Sequence, residues 1–303
     1  MTRIAITVAL TAQWLAAQPP EQRAVDYLSA EVPRWSKENG CFSCHNNGDA
    51  ARALYVASRR GYKVPREALA DTTAWLIKPS DWDNNRGNPA SSDKKLARIQ
   101  FAGALVEAFD SKVAGDRRIL VAAAESLLPY QDPDGSWQVD IASVGSPATY
   151  GIALATYMAR RTLEAADPTR FKDAIDKADR WLRTSKPTSA LGQAAVLMAI
   201  PAADPVARQC LDQLLRSQAS DGGWGPYPLS PTEPFDTAVA LISLQKLNQP
   251  EPIARGRAFL IAQQERSGGW PETTRPPGNK SYAEHISTTG WATLALILTD
   301  PKR

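Results

Sequence analysis

Two kinds of helical run alternate along this chain. Runs of the first kind carry charge on one face and apolar residues on the other, as over 170–183 and 251–264. Runs of the second kind are apolar nearly all round, as over 148–157, 237–247 and 288–298. An amphipathic helix belongs at a surface, and a helix apolar on every side belongs inside. The alternation predicts outer and inner helices following one another in sequence.

A short motif marks the junctions. Q-x-x-x-G-x-W occurs as Gln131, Gly135 and Trp137, as Gln218, Gly222 and Trp224, and as Gln264, Gly268 and Trp270. A leucine stands four positions before each glutamine: Leu127, Leu214 and Leu260. The first gap between motifs is about twice the second, which leaves room for one degenerate copy. That copy is Trp181-Leu182, with a polar break over 184–188 and an apolar run over 190–200. Two more lie upstream. Trp75-Leu76 precedes a loop with Trp82 and the run 96–109, and Tyr27-Leu28 precedes a loop with Trp35 and the run 50–62. Self-similarity at this length signals a repeat architecture. Six such units predict an all-α fold, a closed (α/α)6 toroid over 18–303 with the inner helices as its wall. Gly135, Gly222 and Gly268 would supply positive-φ backbone at the turns, and each Trp would cover the end of its helix.

Composition narrows the function classes. The 303 residues are 43% hydrophobic and 22% charged, with a net charge of +3. That suits a folded chain with a sizeable core. No run of Lys or Arg points to nucleic acid or an anionic membrane surface. Residues 1–17 read as an export signal. Arg3 gives a positive end, 4–17 is mostly apolar, and Ala16-Ala17 precedes a cut before Gln18. The stretch contains Thr7, Thr11 and Gln13 and is too short and polar to span a bilayer. The expected location is periplasmic or secreted, with no transmembrane segment in the mature chain.

The Q-x-x-x-G-x-W pattern after an aromatic-Leu helix end resembles the QW repeat of squalene–hopene cyclases and related terpene cyclases. The resemblance covers most of residues 20–300, and it implies the (α/α)6 toroid also found in protein prenyltransferases. Class II cyclases protonate an alkene with the middle Asp of D-x-D-D-T-A. The matching stretch here is Glu233-Pro234-Phe235-Asp236-Thr237-Ala238. Phe235 stands where the acid should be, and a phenyl ring cannot donate a proton. Asp236 reads as a helix cap. A loose D-x-D, Asp81-Trp82-Asp83, falls among turn residues and reads as a turn. The prenyltransferase zinc ligands are not matched in order. The thioester motif G-C-G-E-Q of other toroid proteins is replaced by Gly40-Cys41-Phe42-Ser43-Cys44.

The chemistry-bearing residues lie elsewhere. Cys41-Phe42-Ser43-Cys44-His45 is a C-x-x-C-H sequence in a chain with only three cysteines and two histidines. That pattern attaches a c-type haem through two thioethers and one axial imidazole. His45 precedes the first inner run and His285 the last, and a closed ring makes those units neighbours. The expectation is haem c on Cys41 and Cys44, with His45 proximal and His285 distal. Such an iron would be six-coordinate, low-spin and of comparatively low potential. Met158 and Met198 fall late in inner runs and read as core. Arg275 and Lys280 could pair with the propionates. Three alternatives stay open: a Cys2His2 zinc site of Cys41, Cys44, His45 and His285, a Cys41–Cys44 disulfide, and His285 as simply a polar residue on a loop. Cys210 reads as a buried thiol.

Three functions follow from these readings. The first is an exported electron-transfer or redox-sensing protein with a redox partner protein. The second is a cyclase-like or haem-dependent enzyme acting on a terpenoid or lipid, an apolar small molecule held in the barrel. The third is a binding module with zinc or a disulfide at the seam.

Overall fold

A computed structural model describes residues 18–85, 94–139, 150–275 and 281–302. The export signal expected over 1–17 and Lys280 lie outside the described residues. Among the described residues, twelve α-helices run in sequence: α1 Pro20–Asn39, α2 Ala51–Arg59, α3 Ala70–Leu76, α4 Lys94–Asp110, α5 Arg117–Leu127 and α6 Gly151–Ala166, then α7 Lys172–Thr184, α8 Ala190–Ala199, α9 Pro205–Arg216, α10 Pro234–Leu244, α11 Pro250–Gln263 and α12 Tyr282–Leu298. A π-helical turn, Cys44–Ala50, leads into α2. No strand occurs among the described residues.

The even-numbered helices form the inner wall. Each packs on the next in the order α2, α4, α6, α8, α10, α12, and α12 returns to α2 and its π-helical turn. Odd-numbered helices pack on the outside of this wall, α5 against α4 and α6, and α7 against α6 and α8. The ring is therefore closed, as the alternating runs predicted. Burial follows the same division. Every residue of α10 is buried, whereas α7 buries Ile175, Ala178 and Leu182 along one stripe.

The Q-x-x-x-G-x-W motifs are the joints. Each tryptophan is fully buried and its indole N–H donates to the carbonyl of the anchoring leucine: Trp137 to Leu127 at 3.0 Å, Trp224 to Leu214 at 2.8 Å, Trp270 to Leu260 at 2.7 Å. This satisfies a helix-end carbonyl that would otherwise lack a partner. The backbone N–H of the same Trp donates to a threonine of the following inner helix, Thr156, Thr237 or Thr289. Each glutamine amide donates to its own glycine carbonyl and to the start of the next outer helix: Gln131 to Ala174, Gln218 to Pro252, and Gln264 to Pro20. The third bond therefore reaches back to α1 and closes the ring.

Gly268 shows why glycine is required there. Its φ is +101°, and a Cβ at this position would lie 2.5 Å from the Arg23 carbonyl oxygen in α1. Gly135 and Gly222 meet Lys177 and Arg255 in the same way.

Two helix boundaries differ from the expected ones, and both matter for the site. Ser281 caps α12 by accepting the Glu284 N–H, so α12 begins at Tyr282 and includes His285 in its first turn. α10 begins at Pro234 with Glu233 at its N-cap position, so Asp236 lies inside the helix and is not its cap.

Candidate functional site at the ring seam

The C-x-x-C-H segment lies where α1 turns into the first inner helix. Gly40 ends α1 in the left-handed region. Ser43 then caps the π-helical turn, its Oγ accepting the Asn46 N–H at 3.1 Å. The intervening strand of chain is held by Asn85, whose Oδ1 accepts the Phe42 N–H at 3.0 Å. Phe42 stacks on Trp75 at 4.7 Å between ring centres. Cys41 opens on a cleft of about 390 Å³ between α1 and α3, with Phe42 and Trp75 in its wall. Cys41 and Cys44 are both partly exposed, and no disulfide links them.

His45 is 6% exposed. Its ring meets Trp35 edge-on at 4.6 Å and Tyr282 at 5.7 Å. Nδ1 lies 2.5 Å from Asn46 Oδ1 and 3.2 Å from Ser43 Oγ. Burial pushes the imidazole down to about 4, so it is neutral at physiological pH. Tyr282 stacks on Trp35 and donates to Glu31 Oε2 at 2.6 Å.

His285 occupies a separate place. Its Nε2 lies 3.0 Å from the Tyr27 hydroxyl, and its ring sits beneath Gly269 of the third motif. Ring closure does bring the first and last inner helices together, as expected. The two imidazoles have different neighbours, Trp35 and Tyr282 for His45 and Tyr27 for His285. α12 starts at Tyr282, and Tyr282 is the α12 side chain whose ring meets His45. The four-ligand zinc arrangement of Cys41, Cys44, His45 and His285 is likewise not assembled. No group of three or more His, Cys, Asp or Glu gathers to hold a metal ion among the described residues.

The Cys41–His45 segment carries the donor types that a covalently held haem uses. It offers two partly exposed thiols and a neutral imidazole whose Nδ1 is already engaged, as haem ligation by Nε2 requires. The buried indole N–H groups of Trp35 and Trp75, which flank His45 and Cys41, have no hydrogen-bond partner among the described residues. They could donate to a polar group placed there. Arg275 is engaged elsewhere, pairing with Asp236.

The bore holds polar side chains that periodicity did not reveal. Asp49 accepts from Gln100 Nε2 at 2.6 Å and from Ser287 Oγ at 2.9 Å. Burial pushes its carboxyl up to about 6. Arg52 lies 3.9 Å over the Trp291 ring and donates to the sulfur of Met158 at 3.3 Å. Tyr150 and Phe235 pack on the same indole. A legible signal did exist: Asp49 and Arg52 are charges three apart at the start of an apolar inner run. Met158 is buried, as is Cys210, whose thiol burial pushes up to about 11.

The vestigial acid motif is also buried. Glu233 accepts from Thr273 at 2.6 Å and Thr274 at 2.5 Å. Asp236 is fully buried, pairs with Arg275 through Oδ2, and is pushed up to about 7 by burial. Its Oδ1 has no partner among the described residues. In the loose D-x-D, the hydrogen bond from Arg98 holds the Asp83 carboxyl below its ordinary range.

No family model matches the chain. Over about half of its length it is similar to two curated proteins. One is a drimenyl diphosphate synthase of Streptomyces showdoensis, 29% identical over 188 residues, 54% of this chain and 34% of that protein. The other is a drimenyl diphosphate synthase of Streptantibioticus cattleyicolor, 32% identical over 181 residues, 52% of this chain and 34% of that protein. The matched region thus spans about a third of each curated relative. Among solved structures, the type II terpene cyclase MstE from Scytonema superposes with a TM-score of 0.59 at 15% identity, covering 92% of this chain and 98% of that one. A wild-type glycosidase superposes with a TM-score of 0.58 at 12% identity, covering 95% and 98%. The chain therefore has the all-helical toroid fold of the terpene cyclases.

Proposed function

We propose that the chain is an exported c-type haem protein built on a terpene-cyclase-like toroid. Cys41 and Cys44 would carry the porphyrin through thioether bonds, and His45 would be an axial ligand. The observation that carries this reading is the state of the C-x-x-C-H segment: thiols partly exposed, His45 neutral, its Nδ1 engaged by Asn46. Bound haem supplies a one-electron centre whose potential the protein tunes through its ligands and their hydrogen bonds. Electron transfer or redox sensing follows, with a redox partner protein. The location would be periplasmic or secreted, because haem c is attached outside the cytoplasm. Since Tyr27 engages His285, the reading has one axial imidazole, and carbon monoxide binding by the reduced protein tests that point.

The decisive experiment is export from a strain with a cytochrome c maturation system, followed by intact mass and visible spectrum. The expected mass is that of the mature chain plus one haem, lost when Cys41 and Cys44 are both replaced by Ser. A chain that emerges at its bare mass overturns the proposal.

A second reading, an enzyme acting on a terpenoid or lipid, is favoured by Asp236. That carboxyl is buried, pushed up to about 7, and has one oxygen without a partner among the described residues. Two drimenyl diphosphate synthases among the relatives add to it. Arg52 and Trp291 in the bore weigh against it, since an apolar ligand would meet a buried cation there.

A further inference from the structure

We propose that Asn46 is a positioning residue that fixes His45 as its Nδ1–H tautomer and leaves Nε2 as the ligating nitrogen. This rests on the haem reading above, but it concerns this chain's own protons and is tested without haem.

The argument starts at the Asn46 amide. Its Nδ2 donates to the Glu31 backbone carbonyl at 2.8 Å and to the Tyr282 hydroxyl at 2.9 Å. A carbonyl oxygen only accepts. Reversing the amide would set oxygen against oxygen at Glu31, so the orientation is fixed. Oδ1 must then be the atom 2.5 Å from His45 Nδ1. An amide oxygen has no proton to give, so the proton between them belongs to Nδ1.

The surrounding groups agree with that assignment. Tyr282 gives its own proton to Glu31 Oε2 at 2.6 Å and keeps a lone pair for Asn46. Ser43 Oγ accepts the Asn46 backbone N–H, and its proton has Asn46 Oδ1 as an acceptor at 3.2 Å. Arg34 in turn anchors Glu31 at 2.8 Å. Asn46 is fully buried, so bulk water does not compete for these bonds. Glu31 lies on α1 and Tyr282 on α12, so the imidazole is oriented from both sides of the ring seam. An acceptor on Nδ1–H raises the basicity of Nε2, and groups in that position tune the metal a histidine holds.

The full-length haem-free chain, ¹⁵N-labelled and reduced, gives a direct test by two-bond ¹⁵N–¹H correlation at pH 7.5. With only two histidines, both rings are resolved and His285 serves as the internal reference. The expected result is a single His45 tautomer with the proton on Nδ1. In Asn46→Ala the preference is lost and the Nε2–H form appears. In the haem-loaded protein, Asn46→Ala raises the reduction potential, because a less basic imidazole stabilises the oxidised iron less. An Nε2–H tautomer in the unmodified chain overturns the proposal without any variant. So does an unchanged tautomer or an unchanged potential in Asn46→Ala. Failure of haem attachment is read separately, by mass.

Discussion

Gly268→Ala tests whether the third motif is what closes the ring. The new Cβ would stand 2.5 Å from the Arg23 carbonyl oxygen and 3.2 Å from Tyr27 Cβ. The φ of +101° adds a second penalty. A side-chain residue held in the left-handed region costs about 1–2 kcal/mol. Forcing packed backbone apart costs about 1–3 kcal/mol more. Together the loss should be about 2–5 kcal/mol in urea denaturation. Gly135→Ala meets almost the same clash, 2.4 Å from the Lys177 carbonyl oxygen, and carries a similar local cost. The two differ in what is released. Lys177 lies on α7, which is held between its neighbours on both sides, whereas Arg23 lies on α1, whose contact with α12 is the seam itself. Native-state hydrogen exchange should therefore show protection lost first over α1 in Gly268→Ala and over α7 in Gly135→Ala. A cost below about 1 kcal/mol would refute the packing argument, given the penalties above. Loss of protection spread evenly round the ring in Gly268→Ala would refute the seam argument.

Three further outcomes follow from the same structure. Trp137→Phe, Trp224→Phe and Trp270→Phe each remove the same indole-to-leucine bond, so their losses in urea denaturation should agree within about 1 kcal/mol, each at least the roughly 1 kcal/mol of a buried hydrogen bond. His285→Ala should leave the visible spectrum of the haem-loaded protein unchanged while lowering stability by about 1 kcal/mol, the worth of its bond to Tyr27; a change of spin state would show that His285 reaches the iron. Asp236 is pushed up from 3.8 to about 7. The folded state therefore holds its proton more tightly than the unfolded state, and its contribution is full at acid pH and lost as pH rises through about 7. The stability difference between the natural chain and Asp236→Asn should fall between pH 4 and pH 8 by at most about 4 kcal/mol; a flat or rising difference would refute this.

The fold was legible because each level of the sequence repeated it. The all-round apolar runs gave the inner wall, and the motif gave the joints. Gln, Gly and Trp could be placed at turns from spacing alone. Their bonding could not, because the partners Ala174, Pro252 and Pro20 belong to the next unit and carry no signature. The site was legible only in part. The C-x-x-C-H segment is local in sequence, so its residues could be singled out without the fold. The place of His285 within α12 was not legible, because Ser281 caps the helix and it starts at Tyr282, six residues before the apolar run at 288. Three polar positions, Ser281, Glu284 and His285, had made that first turn look like loop. The cap reading of Asp236 failed for the related reason that Glu233 takes the N-cap position and leaves Asp236 within the first turn.

The seam and the bore differ in how their polar groups are engaged. In the bore, Asp49 and Arg52 are committed to Gln100, Ser287, Trp291 and Met158. Burying such charges is costly unless their partners stay in place. At the seam the arrangement is reversed. Trp35, Tyr282 and Asn46 surround His45, while Cys41 lines the cleft and Cys44 is partly exposed. A toroid needs its first and last units to meet, and here that meeting supplies Glu31 and Tyr282 to orient one imidazole. Ring closure and the setting of His45 thus share the α1–α12 contact, and a variant that loosens it, such as Gly268→Ala, should also broaden the His45 resonances.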